Sequence, residues 1–280
     1  LYVPASVSSA TSAPLVVMLH GCDESPADFE LGAAMNALAD AHGFLVAYPA
    51  EPSSANVLRC WNWFLAADQA RGAGEPAWIA SVVPDVASDH KVDPKAVFVA
   101  GISSGAAMAV ILGATYPDVF AAIGVHSGLE YAAATDATSA FNAQSSGGPA
   151  PKTQGDAAFA AMGSVARAVP ALVIHGDADT TVNVTNASQV IAQWAETDTR
   201  AGDTISTTAT TSVDGTAGGR TFTHTTYADT KSGATMLELY LVHGLNHAWS
   251  GGTAGAPYTD SQGPSASTLL WTFFDAHRKS

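Results

Sequence analysis

Short apolar runs alternate with segments of helical spacing along most of this chain, and that alternation constrains the fold more than any single motif. Residues 14–21 (PLVVMLHG), 44–49 (FLVAYP), 95–101 (KAVFVAG), 120–128 (FAAIGVHSG), 170–176 (PALVIHG) and 236–244 (MLELYLVHG) read as strands. Between them, 27–43, 76–90, 104–117 and 186–198 carry apolar residues at helical spacing, and 265–277 adds a closing helix. Pro84 is expected to bend the second of these helices. Strands apolar on both faces and separated by helices predict an α/β fold, a mainly parallel sheet covered on both sides. Two stretches interrupt the rhythm. Residues 129–165, rich in Ala, Ser, Gly and Pro, are expected to make an excursion over the sheet, and 204–228, around DGTAGG, a β-hairpin extension. No repeat or linker divides the 280 residues, so 1–280 is expected to form one domain.

The net charge of −14 leaves no basic patch, which argues against a nucleic-acid partner and disfavours polyanionic substrates. No apolar stretch reaches the roughly 20 residues that span a bilayer. The chain opens at LYVPAS without an initiator Met, as expected of a mature form whose targeting segment is gone. Scarce lysine and loops rich in Ala, Ser, Thr and Gly suit an extracellular protein, with the periplasm as the alternative. In that setting the two cysteines, Cys22 and Cys60, are expected to form one disulfide rather than remain free buried thiols.

The chemistry centres on Gly101-Ile102-Ser103-Ser104-Gly105, which fits G-x-S-x-G between a strand and a helix. There a sharp turn exposes the central serine, and glycines let strand and helix approach without a clashing Cβ. Ser103 is the expected nucleophile. A phosphate-binding turn is the rival reading, weakened by the lack of G-x-G-x-x-G or a phosphate-loop lysine. A nucleophilic serine needs a base and an orienting acid, which in such folds follow it in the order Asp or Glu, then His. VIHGDADTTV (173–182) offers Asp179, with Asp177 as the alternative, and LVHGLNHAWSGG (241–252) offers His247. His243 is set aside as a strand residue. A zinc pair made of both histidines would need a helix where Gly244-Leu245-Asn246 reads as a turn, so no metal is expected. The backbone N–H groups of Ser104 and of Cys22, in the loop after His20-Gly21, are the expected oxyanion donors. Trp61, Trp63 and Trp249 flank these loops and are expected to line a substrate groove, with core packing as the competing explanation.

LHGC, CWNWF, GISSGAAM, HGDADTTV and GLNHAWSGG together resemble the polyhydroxybutyrate-depolymerase-type esterases, a family that includes short-chain polyester depolymerases and feruloyl and acetylxylan esterases. The resemblance runs over about residues 1–277. It implies an α/β-hydrolase fold, Ser103, Asp179 and His247 at the triad positions, a Cys22–Cys60 disulfide, and no cofactor. Ala106 departs conservatively from the small residues the family often has after the nucleophile. No polymer-binding module is expected after residue 280, which makes crystalline polymer an unexpected substrate. The expected function is a secreted serine esterase acting on poly(3-hydroxybutyrate) or its oligomers. A feruloyl or acetylxylan esterase is the alternative, followed by a poly(aspartic acid) hydrolase or a non-catalytic hydrolase-fold binding protein.

Overall fold

β1 (Ala13–Leu19) is buried along its whole length, and its alternate side chains enter two different cores. Leu15, Val17 and Leu19 pack on one side of the sheet, and Val16 and Met18 on the other. A strand apolar on both faces has to be covered twice, and the helices do this. A computed structural model describes residues 1–8 and 12–279; residues 9–11 and 280 of the expected domain lie outside the described residues.

Along the chain follow α1 (Pro26–Ala33), α2 (Met35–His42), β2 (Leu45–Ala47), α3 (Gly74–Asp89), β3 (Val92–Ile102), α4 (Ser104–Thr115), β4 (Ile123–His126), α5 (Ala137–Ser146) and α6 (Pro151–Met162). After these come β5 (Ala171–Gly176), α7 (Thr185–Ala201), β6 (Thr211–Ala217), β7 (Arg220–Ala228), β8 (Thr235–Val242) and α8 (Ala266–Ala276). The eight strands form one sheet in the order β2-β1-β3-β4-β5-β8-β7-β6. β2 through β8 in that order are parallel neighbours, whereas β7 and β6 join as antiparallel strands. Gly218 and Gly219, at φ +59° and +102°, make the two-residue turn between β6 and β7, a conformation that suits the twist of a hairpin.

The helix expected over 27–43 is two helices. Ala34 adopts φ +53° and donates its N–H to the Glu30 carbonyl, ending α1. The break lets α1 bury Phe29 and Ala33 while α2 separately buries Met35 and Ala39. Residues 129–165 contain α5 and α6; α5 starts with a capping box between Asp136 and Ser139, a local signal that the low-complexity composition masks. α4 is buried on every face, with Gly113 against the Trp194 ring, so the helix that follows Ser103 is held rigidly from all sides.

Candidate active site

The parallel strands all deliver their C-terminal ends to one edge, where loops from different strands meet. β3 ends there at Ile102, and Ser103 follows at φ +57° and ψ −120°, a backbone state that costs a non-glycine residue free energy. The Ser103 N–H donates to the His126 carbonyl at 3.0 Å, which helps hold the turn. The two flanking glycines are required by contact. A Cβ on Gly101 would lie 2.5 Å from the Gly105 carbonyl carbon, and one on Gly105 would overlap the Leu19 carbonyl oxygen of β1.

Asp179 follows β5 and His247 follows β8, and their loops are joined by backbone. Asp177 N–H donates to the Val242 carbonyl and Ala178 N–H to that of Leu245, an approach so close that a Cβ on Gly176 would overlap the Leu245 oxygen. Asp179 Oδ1 accepts the N–H groups of Thr181 and Val182 at 2.9 Å, and Oδ2 lies 2.8 Å from His247 Nδ1. Burial works to raise the Asp179 carboxyl, but the His247 hydrogen bond and charge, with the two amides, hold it below its ordinary value. An ionised carboxylate only accepts, so Nδ1 carries a proton, which leaves Nε2 as the acceptor nitrogen of the neutral ring. His175 stands 3.6 Å from the same Asp179 oxygen and donates Nε2–H to the Val182 carbonyl, bracing the loop from beneath.

Ser103 and His247 border one pocket of about 220 Å³, together with Gly21, Cys22, Glu24, Gln144, Thr181 and Tyr258. The Cys22 loop in this wall is tied down repeatedly. Cys22 is bonded to Cys60, Asp23 N–H donates to the Leu58 carbonyl, and Arg59 reaches back to the Asp23 carbonyl. Next to Ser103, Ser104 opens α4, so its N–H has no intrahelical acceptor and sits at the positive end of the helix dipole.

The tryptophans divide. Trp61 and Trp249, expected along a groove, are buried behind the pocket. Trp61 donates to the His20 carbonyl, and Trp249 stacks on His126 and donates to Ser267. An indole N–H needs a partner when buried, and both find theirs in the core. Trp63 borders a separate apolar pocket of about 240 Å³ with Phe64, Phe141, Ala137, Ala140 and the disulfide. It shares Cys22 and Gln144 with the Ser103 pocket.

Asp177 and His243, the alternatives in the same two loops, pair with each other instead: His243 Nδ1 lies 2.8 Å from Asp177 Oδ2. His243, set aside as a strand residue, lies just beyond the strand. It follows the last residue of β8 and turns outward to Thr223, which donates to Asp214.

Sequence reasoning missed His126, Glu24, Gln144 and Tyr258. The His126 ring is fully enclosed; its Nε2 accepts the Ser250 N–H, and burial pushes its pKa down to about 3, so it acts as a neutral wedge between the Ser103 turn and the His247 loop. The LHGC and GVHSG motifs held the nearest signals. Nothing local marks Gln144 or Tyr258, which arrive from α5 and from the segment before Thr259.

The sequence pattern of the family described as esterase PHB depolymerase matches residues 1–214, a span that contains Ser103 and Asp179 but not His247. Poly(3-hydroxyalkanoate) depolymerase C of Paucimonas lemoignei is 36% identical over 270 residues, covering 92% of this chain and 62% of the depolymerase. Acetylxylan esterase A of Talaromyces purpureogenus is 32% identical over 203 residues, covering 70% of this chain and 52% of that protein. The chain thus spans less than two thirds of the length of these relatives. Among solved structures, the acetyl xylan esterase from Aspergillus awamori superposes with a TM-score of 0.74 at 26% identity, covering 88% of this chain and 87% of the esterase. With its mostly parallel sheet flanked by helices, the chain has the α/β-hydrolase fold and belongs to the esterase PHB depolymerase family.

Proposed function

We propose that this chain is a serine esterase that works through an acyl-enzyme. The observation that carries the reading is a strained, pocket-facing Ser103 beside His247, whose Nδ1 is held by the buried Asp179. Ser103 Oγ attacks the ester carbonyl while His247 Nε2 takes its proton and then gives it to the leaving alkoxide. Asp179 fixes the imidazole tautomer and stabilises its cation. The N–H groups of Cys22 and Ser104 receive the developing oxyanion, and water, activated by the same imidazole, releases the acid.

The substrate we favour is an uncharged short-chain polyester of the poly(3-hydroxybutyrate) kind, or its oligomers. Three features support it: the match to a depolymerase, the apolar side pocket beside the Ser103 pocket, and the acidic Asp23 that lines the wall and would repel a polyanion. The acetylxylan reading rests on the TM-score of 0.74 to an acetyl xylan esterase. The disulfide favours a site of action outside the cytosol, and no helix among the described residues is long and apolar enough to cross a membrane. The test is a side-by-side assay on hydroxybutyrate oligomers, amorphous polymer, methyl ferulate and acetylated xylan, with fluorophosphonate labelling. Labelling of wild type but not of Ser103→Ala, with the oligomers turned over fastest, is expected. Equal labelling of both proteins would overturn the serine mechanism, and faster deacetylation of xylan would move the substrate to the alternative.

A further inference from the structure

Glu24 is an acid inside the Ser103 pocket for which the mechanism has no use. Its side chain is buried, yet it borders the pocket with Ser103 and His247. Oε2 accepts the Gly21 N–H at 2.7 Å. A Cβ on Gly21 would meet that oxygen at 3.0 Å and the Ser103 Cβ at 3.5 Å, so the Gly21 backbone is wedged between the carboxyl group and the nucleophile. The other side of Gly21 is held too: its carbonyl lies 2.7 Å from His20 Nδ1, while His20 Nε2 accepts the Glu51 N–H, which leaves the ring proton on Nδ1.

The Gly21 carbonyl and the Cys22 N–H belong to one trans peptide plane and point in opposite directions. Gripping Gly21 at both its N–H and its carbonyl therefore sets where the Cys22 N–H aims. Resting on the esterase reading above, we propose that Glu24 is a positioning residue for the oxyanion peptide and that its charge state tunes how well the loop accepts negative charge.

A carboxyl group here feels both effects. Its pKa is raised to about 7, chiefly by burial and a little by Asp28, with the Gly21 hydrogen bond opposing the rise. The charged and titratable groups around it are His20 and Asp23 on its own loop, Asp28 on α1, Arg59 across the disulfide, and His247 across the pocket. While protonated, Glu24 keeps its grip on Gly21 and adds no charge. Once ionised, it places a negative charge in the wall where the tetrahedral oxyanion forms, which opposes attack.

The experiment compares kcat and KM of wild type, Glu24→Ala and Glu24→Gln on p-nitrophenyl butyrate from pH 6 to pH 9. Glu24→Ala is expected to lose about tenfold or more in kcat with KM nearly unchanged, since the transition state and not the bound ester needs the aimed N–H. Glu24→Gln, whose amide oxygen can still accept the Gly21 N–H, is expected to rescue most of that loss at pH 6. Above pH 7 it should outpace wild type by a factor that grows toward about tenfold, because it cannot ionise. A wild-type kcat in Glu24→Ala, or pH profiles of Glu24→Gln and wild type that superimpose, would overturn the proposal. If Glu24→Ala does not fold, the Glu24→Gln profile decides alone. Failure of the underlying reading looks different: wild type itself would neither turn over the ester nor label at Ser103.

Discussion

Two Asp–His pairs span the same two loops, four residues apart on one strand end and two apart on the other, with the same 2.8 Å separation. Asp179–His247 has its carboxylate fully enclosed and its imidazole facing the Ser103 pocket; in Asp177–His243 both side chains are 37% exposed. The chemistry of the two pairs is identical, and their surroundings differ. Water screens the outer pair, and its free imidazole nitrogen meets Thr223, which already donates to Asp214. The inner carboxylate is held by two backbone amides, and its histidine faces the pocket that Ser103 also lines. A hydrogen-bonded Asp–His pair is therefore a tool whose use is set by burial and by what its remaining nitrogen faces.

Mutation should separate the pairs most sharply in ester turnover. Ser103→Ala and His247→Ala are expected to lower kcat by about ten-thousand-fold or more, and Asp179→Asn by about a thousand- to ten-thousand-fold. His243→Ala and Asp177→Asn should stay within about threefold of wild type. Steady-state kinetics decides this, and a collapse of activity in Asp177→Asn alone would reverse the roles of the pairs.

The disulfide lies on the inner pair's side and offers the next largest effect. Cys22 and Cys60 are 38 residues apart, so replacing both with Ser should lower the unfolding free energy by about 4 kcal/mol in the chain-entropy picture. Urea unfolding measures it. The accompanying loss of kcat should exceed that of any change at the outer pair, because the bridge restrains the loop proposed to receive the oxyanion.

Burial as the deciding variable can be tested away from either pair. Both oxygens of Glu130 are buried without a partner, against the Gly148 backbone that joins α5 to α6, and burial raises its pKa to about 8. The folded state then keeps a proton that the unfolded chain releases near its ordinary value of 4.5, so stability falls as pH climbs from about 4.5 to 8. Glu130→Gln should cancel that fall, giving a stability gain over wild type that grows between pH 5 and pH 8 to about 1–3 kcal/mol. A gain equal at both pH values would mean that Glu130 does not carry the proton. The smallest effect belongs to the outer pair. Breaking Asp177–His243 should cost less than about 1 kcal/mol of stability, as for other solvent-screened pairs, and the cost should shrink further in high salt.

Much of this molecule was legible in the sequence because its signals are local. Apolar runs and helical spacing mark a parallel sheet covered on both sides, and G-x-S-x-G marks a turn too tight for any residue but glycine at positions 101 and 105. The sequence also narrowed the acid and the base to two loops. It could not locate the break at Ala34, which depends on packing two short helices separately, or the roles of Trp61 and Trp249, whose indole N–H groups are drawn to partners distant in sequence. It was silent on Glu24, since a carboxyl group two residues past Cys22 looks like any loop acid until Gly21 is seen wedged between it and Ser103.

The sequence by itself determined the fold class, the corner that presents Ser103, and the loops that follow β5 and β8. It also favoured Asp179 over Asp177 and His247 over His243, but only the tertiary structure decided that Asp179 pairs with His247 and Asp177 with His243. Residues two apart in a loop share composition and propensity, and what separates them is burial and the partner each meets across the fold.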